Sequence, residues 1–249
     1  DDAMEKFGFS ENWGSYSLSE FMYSHFKLYG RQPVIFCNML DPATMQTAAA
    51  AADIDVVDHK VKLPIEAIDD AALAVKPSGG SGSAFVKGTD YSTYYDGENL
   101  VVELLSSGST YSAEELNIAY KRADPSKVTE SVVAAGMENI EYCMTMLGTV
   151  PDLICAPGFS DKKNVAAVMA TKAAGINGMF RAKALIDIST AAVGGADDYS
   201  EVAALKATNL FTDENEIPCW PLLKKGSRVF HYSSQLAGTL AQTDSDNDG

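Results

Sequence analysis

Apolar positions recur along this chain with two different periods, and the change of period divides it. From Ser17 to Tyr29 the residues Leu18, Phe21, Met22, His25, Phe26 and Tyr29 return every three or four positions, which predicts a helix. Ser17 with Glu20 three residues on matches a capping box, and Gly30 suits the stop. Residues 32–39 form an apolar run opened by Pro33 and closed by Leu40-Asp41-Pro42, the signature of a buried strand. The alanines of Ala48–Ala52 predict a short helix, alanine being the strongest helix former.

From Asp53 to about Lys127 no helical stripe exceeds one or two turns. Short alternating runs replace it: Asp53–Val57, Lys60–Leu63, Ala72–Val75, Ala84–Val86, Tyr91–Tyr95, Leu100–Leu104 and Leu116–Tyr120. Turn signals punctuate them at Pro77–Gly80, Gly88, Asp96-Gly97, Ser106–Gly108 and Asp124-Pro125, with Asp96-Gly97 placed as a hairpin turn. This is the pattern of a small all-β module.

Helical spacing returns over Thr129–Gly148, where Ile140, Cys143, Met144 and Leu147 share a face. The stretch Pro151–Asp187 then reads as one strand–helix–strand unit. Asp152–Ala156 is a short apolar strand, Ser160 or Asp161 can cap the helix, Val165, Val168, Met169, Lys172 and Ala173 form its stripe, Gly175 suits a left-handed stop, Asn177-Gly178 a turn, and Ala182–Ile188 the second strand. Such a unit favours parallel pairing with a right-handed crossover. A loop at Gly194–Asp198, a helix over Ser200–Thr208, strands at Glu216–Pro221 and Arg228–Tyr232 and a last helix over Ser233–Gln242 complete the chain, before a polar, frayed tail. The predicted class is α/β: a mixed sheet with flanking helices in a discontinuous domain of residues 1–52 plus 128–249, with a β-rich domain of residues 53–127 inserted.

Composition narrows function. A chain of 249 residues, 46% of them hydrophobic, can bury roughly three quarters of its unfolded surface. Nineteen basic residues against 34 acidic ones leave a net charge of −15, which argues against nucleic acid and anionic membranes as partners. The cysteines Cys37, Cys143, Cys155 and Cys219 are widely spaced and read as free thiols of a reducing compartment. No run approaches the ~18 apolar residues of a membrane span. Asp1-Asp2 stands where a secretory signal needs basic residues, so the expectation is a protein of the cytosol or assembled there.

The candidate chemistry is sparse. Ser160 follows Gly158 as in a nucleophile elbow, but position 162 is Lys where that turn needs Gly. A triad would have to draw on His25, His59 or His231, which fall on a helix face, in the β module and along a strand. Cys155 lies in an apolar strand, where burial suppresses the thiolate. No glycine-rich phosphate loop is present, although Pro157–Ser160 could offer helix N-terminal amides to a small anion. Asp244–Gly249 matches the first half of a calcium loop whose bidentate Glu is lacking. Asp187 ends a strand, where α/β enzymes place carboxylates. Tyr91, Tyr94 and Tyr95 would form a carbohydrate platform if exposed together. These residues assemble into no reaction, so no catalytic, cofactor or metal site is expected.

Several stretches together resemble the tail sheath proteins of contractile bacteriophages and phage-like particles. They are Phe21–Gly30, Pro33–Phe36 with Leu40-Asp41-Pro42, Val86–Tyr91 with Tyr95-Asp96-Gly97, Asp124–Thr129, Pro151–Phe159 with Val165–Met169, Lys172-Ala173 and Ile176–Gly178, then Cys219-Trp220-Pro221 and Ser234–Gly238. Their shared order covers nearly the whole chain. The resemblance implies a non-enzymatic subunit of a virion tail, assembled in the bacterial cytoplasm. Its partners would be other copies of itself and the tail tube protein, around which the sleeve contracts to drive the tube through a host envelope. Sheath proteins carry further residues at both ends whose arms add strands to neighbours, so this core alone is expected to be monomeric or weakly associating. The alternative is an α/β enzyme binding a small anionic substrate near Pro157–Ser160.

Overall fold

The computed structural model describes residues 3–4 and 8–247. In chain order they form α1 (Ser17–Met22), which runs on as a π-helical turn over Tyr23–Tyr29, then β1 (Gln46–Asp55), β2 (Lys60–Pro64), β3 (Ala67–Ile68), β4 (Ala74–Pro77), β5 (Tyr91–Tyr95), β6 (Asn99–Leu104) and β7 (Glu115–Ala123). There follow α2 (Glu130–Gly136), a 3-10 stretch over Met137–Tyr142, α3 (Cys143–Leu147), β8 (Leu153–Cys155), α4 (Lys163–Ala174), β9 (Lys183–Asp187), α5 (Tyr199–Asn209), β10 (Glu216–Cys219), β11 (Leu223–Lys225), β12 (Arg228–Phe230) and α6 (Tyr232–Asp246). The class is mixed α/β. The chain divides into two compact units: one holds the residues up to Met39 and those from Thr129 on, the other is Leu40–Val128.

The first unit is built on a three-stranded parallel sheet in the order β10-β9-β8. Its centre is the strand–helix–strand unit of residues 151–187, and the parallel pairing is as the pattern predicted. In β9, Ala184, Leu185 and Ile186 are all fully buried, which is why it reads as an unbroken apolar run. Leu185 packs with Cys219 and Ala237 of α6 on one face. In α4, Val165, Met169 and Ala173 recur every four residues and are buried to the last atom.

Local signals were less reliable here. Helix α4 starts at Lys163 with Lys162 at its cap, not at Ser160 or Asp161, and no side chain caps it. Gly175 leaves the helix in an extended conformation, φ −172°, and the left-handed residues are Asn177 and Gly178. Residues 30–41 carry no regular secondary structure, against the strand expected at 32–39. This segment is held by side chains instead: the Phe36 ring meets Phe21 and Phe26 edge-on, at centroid distances of 6.3 and 5.8 Å.

The second unit is β-rich throughout. One sheet pairs β1, β3 and β4 with β7, and the other has the order β2-β6-β5. Val61, Leu63, Tyr91, Leu100, Val102 and Leu104 of the second sheet share one core with Val75, Leu116 and Ile118 of the first. Asp96 and Gly97 sit at the β5–β6 turn, where the Asp96 carboxylate accepts the amides of Glu98 and Asn99. The alanine run is not a helix. Ala48, Ala49 and Ala52 lie in β1, paired antiparallel to Lys121, Tyr120 and Ile118, with an irregularity in register between Ala49 and Ala52. Alanine propensity is a weak prior, and a partner strand supplying ladder hydrogen bonds overrides it. Residues 46–52 therefore belong to the β unit. The run Ala84–Val86 forms no strand, and Val86 is largely exposed.

Gly108 is a sterically required position in this unit. A Cβ there would lie 2.5 Å from the Asp90 Cα and 2.7 Å from its carbonyl oxygen. Neither backbone atom can move freely, because the Asp90 carboxylate accepts the Val86 and Ser109 amides and Thr110 Oγ1 donates to its carbonyl. Gly108→Ala is expected to cost about 1–3 kcal/mol, read as a lowered midpoint in urea denaturation. An unchanged midpoint would show that the turn can relax.

Candidate functional site

The polar residues of the first unit converge where β9 ends and α6 begins. Asp187, the last residue of β9, is 5% exposed. Its Oδ1 accepts the Ser233 amide at 2.9 Å. Its Oδ2 accepts the Ser160 hydroxyl at 2.9 Å and the Ser233 hydroxyl at 2.5 Å. Ser160 is fully buried, and its Oγ also accepts the Asp187 amide. The loop after β8 and the first turn of α6 thus close on the end of β9 from two directions.

A second buried carboxylate lies beside it. Glu20 of α1 is 2% exposed. Its Oε1 accepts the His231 amide at 2.7 Å and the Ser234 hydroxyl at 2.6 Å, and its Oε2 meets His231 Nδ1 at 2.7 Å. Ser24, one helical turn on from Glu20, donates to the Ser234 carbonyl and accepts from Gln235 Nε2. The Glu20–Ser24 spacing puts both on one face, and that face is bonded to the N-terminus of α6.

Electrostatics follow from this packing. Burial pushes the Asp187 carboxyl above its ordinary value, against the bonds from Ser233, the field of His231 and the bond from Ser160. For His231, burial alone would lower the value, but the Glu20 carboxylate, helped by Asp187 and Asp161, outweighs it and the net shift is upward. A raised histidine stabilises the fold fully below its unfolded value of about 6.5, and that contribution is lost as pH rises through the folded value. The melting temperature of the wild type relative to His231→Gln should therefore fall as pH rises from about 6.5 into the alkaline range. A difference independent of pH would mean that the His231 charge contributes nothing.

The residues singled out from sequence scatter, with one exception. Ser160 and Asp187 do meet. His231 is close to them but is engaged by Glu20. His25 is buried and stacked on Phe21 at 5.0 Å, and burial lowers its value. His59, in the other unit, stacks on Tyr111 at 3.9 Å and bonds its carbonyl. Cys155 is pushed well above the ordinary thiol range, chiefly by burial. Asp161 pairs with Lys162. The amides of Phe159 and Ser160 both donate to the Ala156 carbonyl, so they are not offered to an anion. Asp244, Ser245 and Asp246 belong to α6 rather than to a calcium-type loop, and Arg31 bonds Ser245 and Asp246; Asp248 and Gly249 lie outside the described residues. Tyr91 is buried, while Tyr94 and Tyr95 point to opposite faces of β5, which removes the carbohydrate platform. A shallow depression of about 300 Å³ lies elsewhere, lined by Asp152, Arg181, Ala182, Lys183, Glu214 and Asn215.

Glu20, Ser233 and Ser234 were not legible as members of a cluster. Glu20 fits a capping box on paper, yet no side chain caps α1. The available signal was a polar i,i+4 pair, Glu20 and Ser24, inside an otherwise apolar helical stripe. No protein-family model, curated protein or solved structure matches this chain.

Proposed function

We propose that this chain is a structural subunit of a contractile phage-type tail sheath. The observation that carries the reading is the way its buried carboxylates are used. All four carboxylate oxygens of Glu20 and Asp187 are bonded to the chain's own serines, amides and His231. A nucleophile or base must be reachable by its substrate, whereas Ser160 is fully buried and bonded in both directions. The cluster therefore joins the first helix, the central strand and the last helix into one body, as a subunit moving rigidly between two assembled states requires.

The sheath-like segments, in order from Phe21 to Gly238, supply the particular kind of structural protein. With a net charge of −15, copies repel at long range, so association should strengthen as salt screens that repulsion.

The test is electron microscopy of the full-length protein, bearing the terminal arms that the resemblance implies, co-expressed with its tail tube protein at low and moderate salt. Striated sleeves around the tube support the proposal. A dispersed protein under every condition, with tubes left bare, would overturn it.

A further inference from the structure

We infer that Cys37 and Cys143 are a modification site: a pair of thiols placed to be oxidised to an intramolecular disulfide that fastens residues 30–41 to the helices of residues 130–147. Both sulfurs lie against the same residue. Cys37 Sγ is 3.7 Å from Asn139 Nδ2 and 3.8 Å from the Gly136 carbonyl oxygen, and Cys143 Sγ is 3.9 Å from the Asn139 carbonyl oxygen. Gly136, Asn139 and Cys143 follow at i, i+3 and i+7, so they line one face of the helical stretch. Burial pushes the Cys143 thiol above its ordinary value, and Cys37 adds to the shift.

The two cysteines differ in the ways the reaction needs. Cys37 is exposed and can meet a soluble oxidant, while Cys143 is buried behind it. Cys37 sits in the segment without ladder hydrogen bonds, so it can make the small shift that disulfide geometry demands. The remaining thiols cannot do this. Cys155 and Cys219 lie on β8 and β10, opposite Leu185 and Asp187 of the strand between them. That separates them by two strand spacings, roughly 9–10 Å sideways, and staggers them by two residues, about 7 Å, along a fixed parallel ladder.

The oxidant proposed is a low-molecular-weight disulfide such as oxidised glutathione. The Cys37 thiolate attacks one sulfur of that disulfide, forming a mixed disulfide and expelling one glutathione thiolate. The Cys143 thiolate then attacks Cys37 Sγ and expels the second. Two protein thiols lose two protons and two electrons, and one glutathione disulfide becomes two glutathione thiols. Cys37 lies just before the chain leaves the first unit at Met39, and Cys143 lies shortly after it returns at Thr129. The bond would therefore close the first unit's chain at the point where the β unit is inserted.

The test is to incubate the whole protein with oxidised glutathione, quench with an alkylating agent, and map peptides by mass spectrometry without reduction. The expected result is a monomer lighter by about 2 Da carrying a Cys37–Cys143 peptide pair, reversed by dithiothreitol. Cys37→Ser, an exposed change that leaves the core untouched, should abolish the pair and leave the protein unmodified at the other three thiols. In Cys143→Ser, glutathione should remain trapped on Cys37. A stable glutathione adduct on Cys37 of the wild type, a dimer joined through Cys37, or a bridge between Cys155 and Cys219 would each overturn the assignment.

Discussion

Glu20→Ala is expected to destabilise the protein by about 3 kcal/mol, a loss measured as a lowered midpoint in guanidinium denaturation followed by circular dichroism. The side chain accepts three hydrogen bonds from the start of α6, two of them from His231. Removing it leaves His231 without its hydrogen-bonded anion, a buried serine hydroxyl without its acceptor and an unpaired amide. Breaking a buried ion pair by deleting one partner costs roughly 3–5 kcal/mol. The lower end applies because the His231 side chain keeps 29% of its exposure and water can repair part of the loss. Glu20→Gln should lose less, since it keeps an acceptor for the His231 amide and Ser234. A surface control, Asp246→Asn, breaks the Arg31 pair, and exposed pairs contribute about 0–1 kcal/mol. If Glu20→Ala matched that control, the buried cluster would not be what joins α1 to α6.

Ile118→Ala is the second large expected effect, about 2–5 kcal/mol, with Ile118→Val at about 0.5–1.5 kcal/mol. Ile118 is fully buried in β7, the strand to which β1, β3 and β4 all pair. It stands opposite Val75 on one side and Ala52 on the other. Truncating it opens a cavity among side chains held by ladders on both edges, where collapse is difficult. The graded series separates packing from backbone damage. A Val variant as unstable as the Ala variant would point to the backbone instead.

What was legible in the sequence was what depends on period and length. The parallel β8–α4–β9 unit announced itself because a strand buried on both faces must be apolar at every position and its crossover helix must be striped. β7 was legible because Leu116 and Ile118 alternate with less buried neighbours, and β6 as an apolar run buried at Leu100, Val101 and Val102, with the Asp96-Gly97 turn marking its start. Signals failed where a residue's role is set by something distant. The alanine run had no pattern of its own to resist the edge of β7. The apolar segment 32–39 looked like a strand from its composition, but no residue in it is buried, and the contacts of Phe36 with the Phe21 and Phe26 rings stand where a ladder was expected.

The sequence by itself determined the mixed α/β class, the insertion of a β-rich unit into a discontinuous one, and the strong acidity. Each follows from counts and periods that any fold of this chain must respect. Only the tertiary structure decided which polar groups meet. Glu20 and His231 lie 211 positions apart and Ser160 and Asp187 lie 27 apart. Their pairing is fixed by the crossing of α1, β9 and α6, and no local pattern records a contact whose partners are chosen by packing. The same holds for Cys37 and Cys143, which become neighbours because residues 30–41 lie along a helix face more than a hundred positions further on.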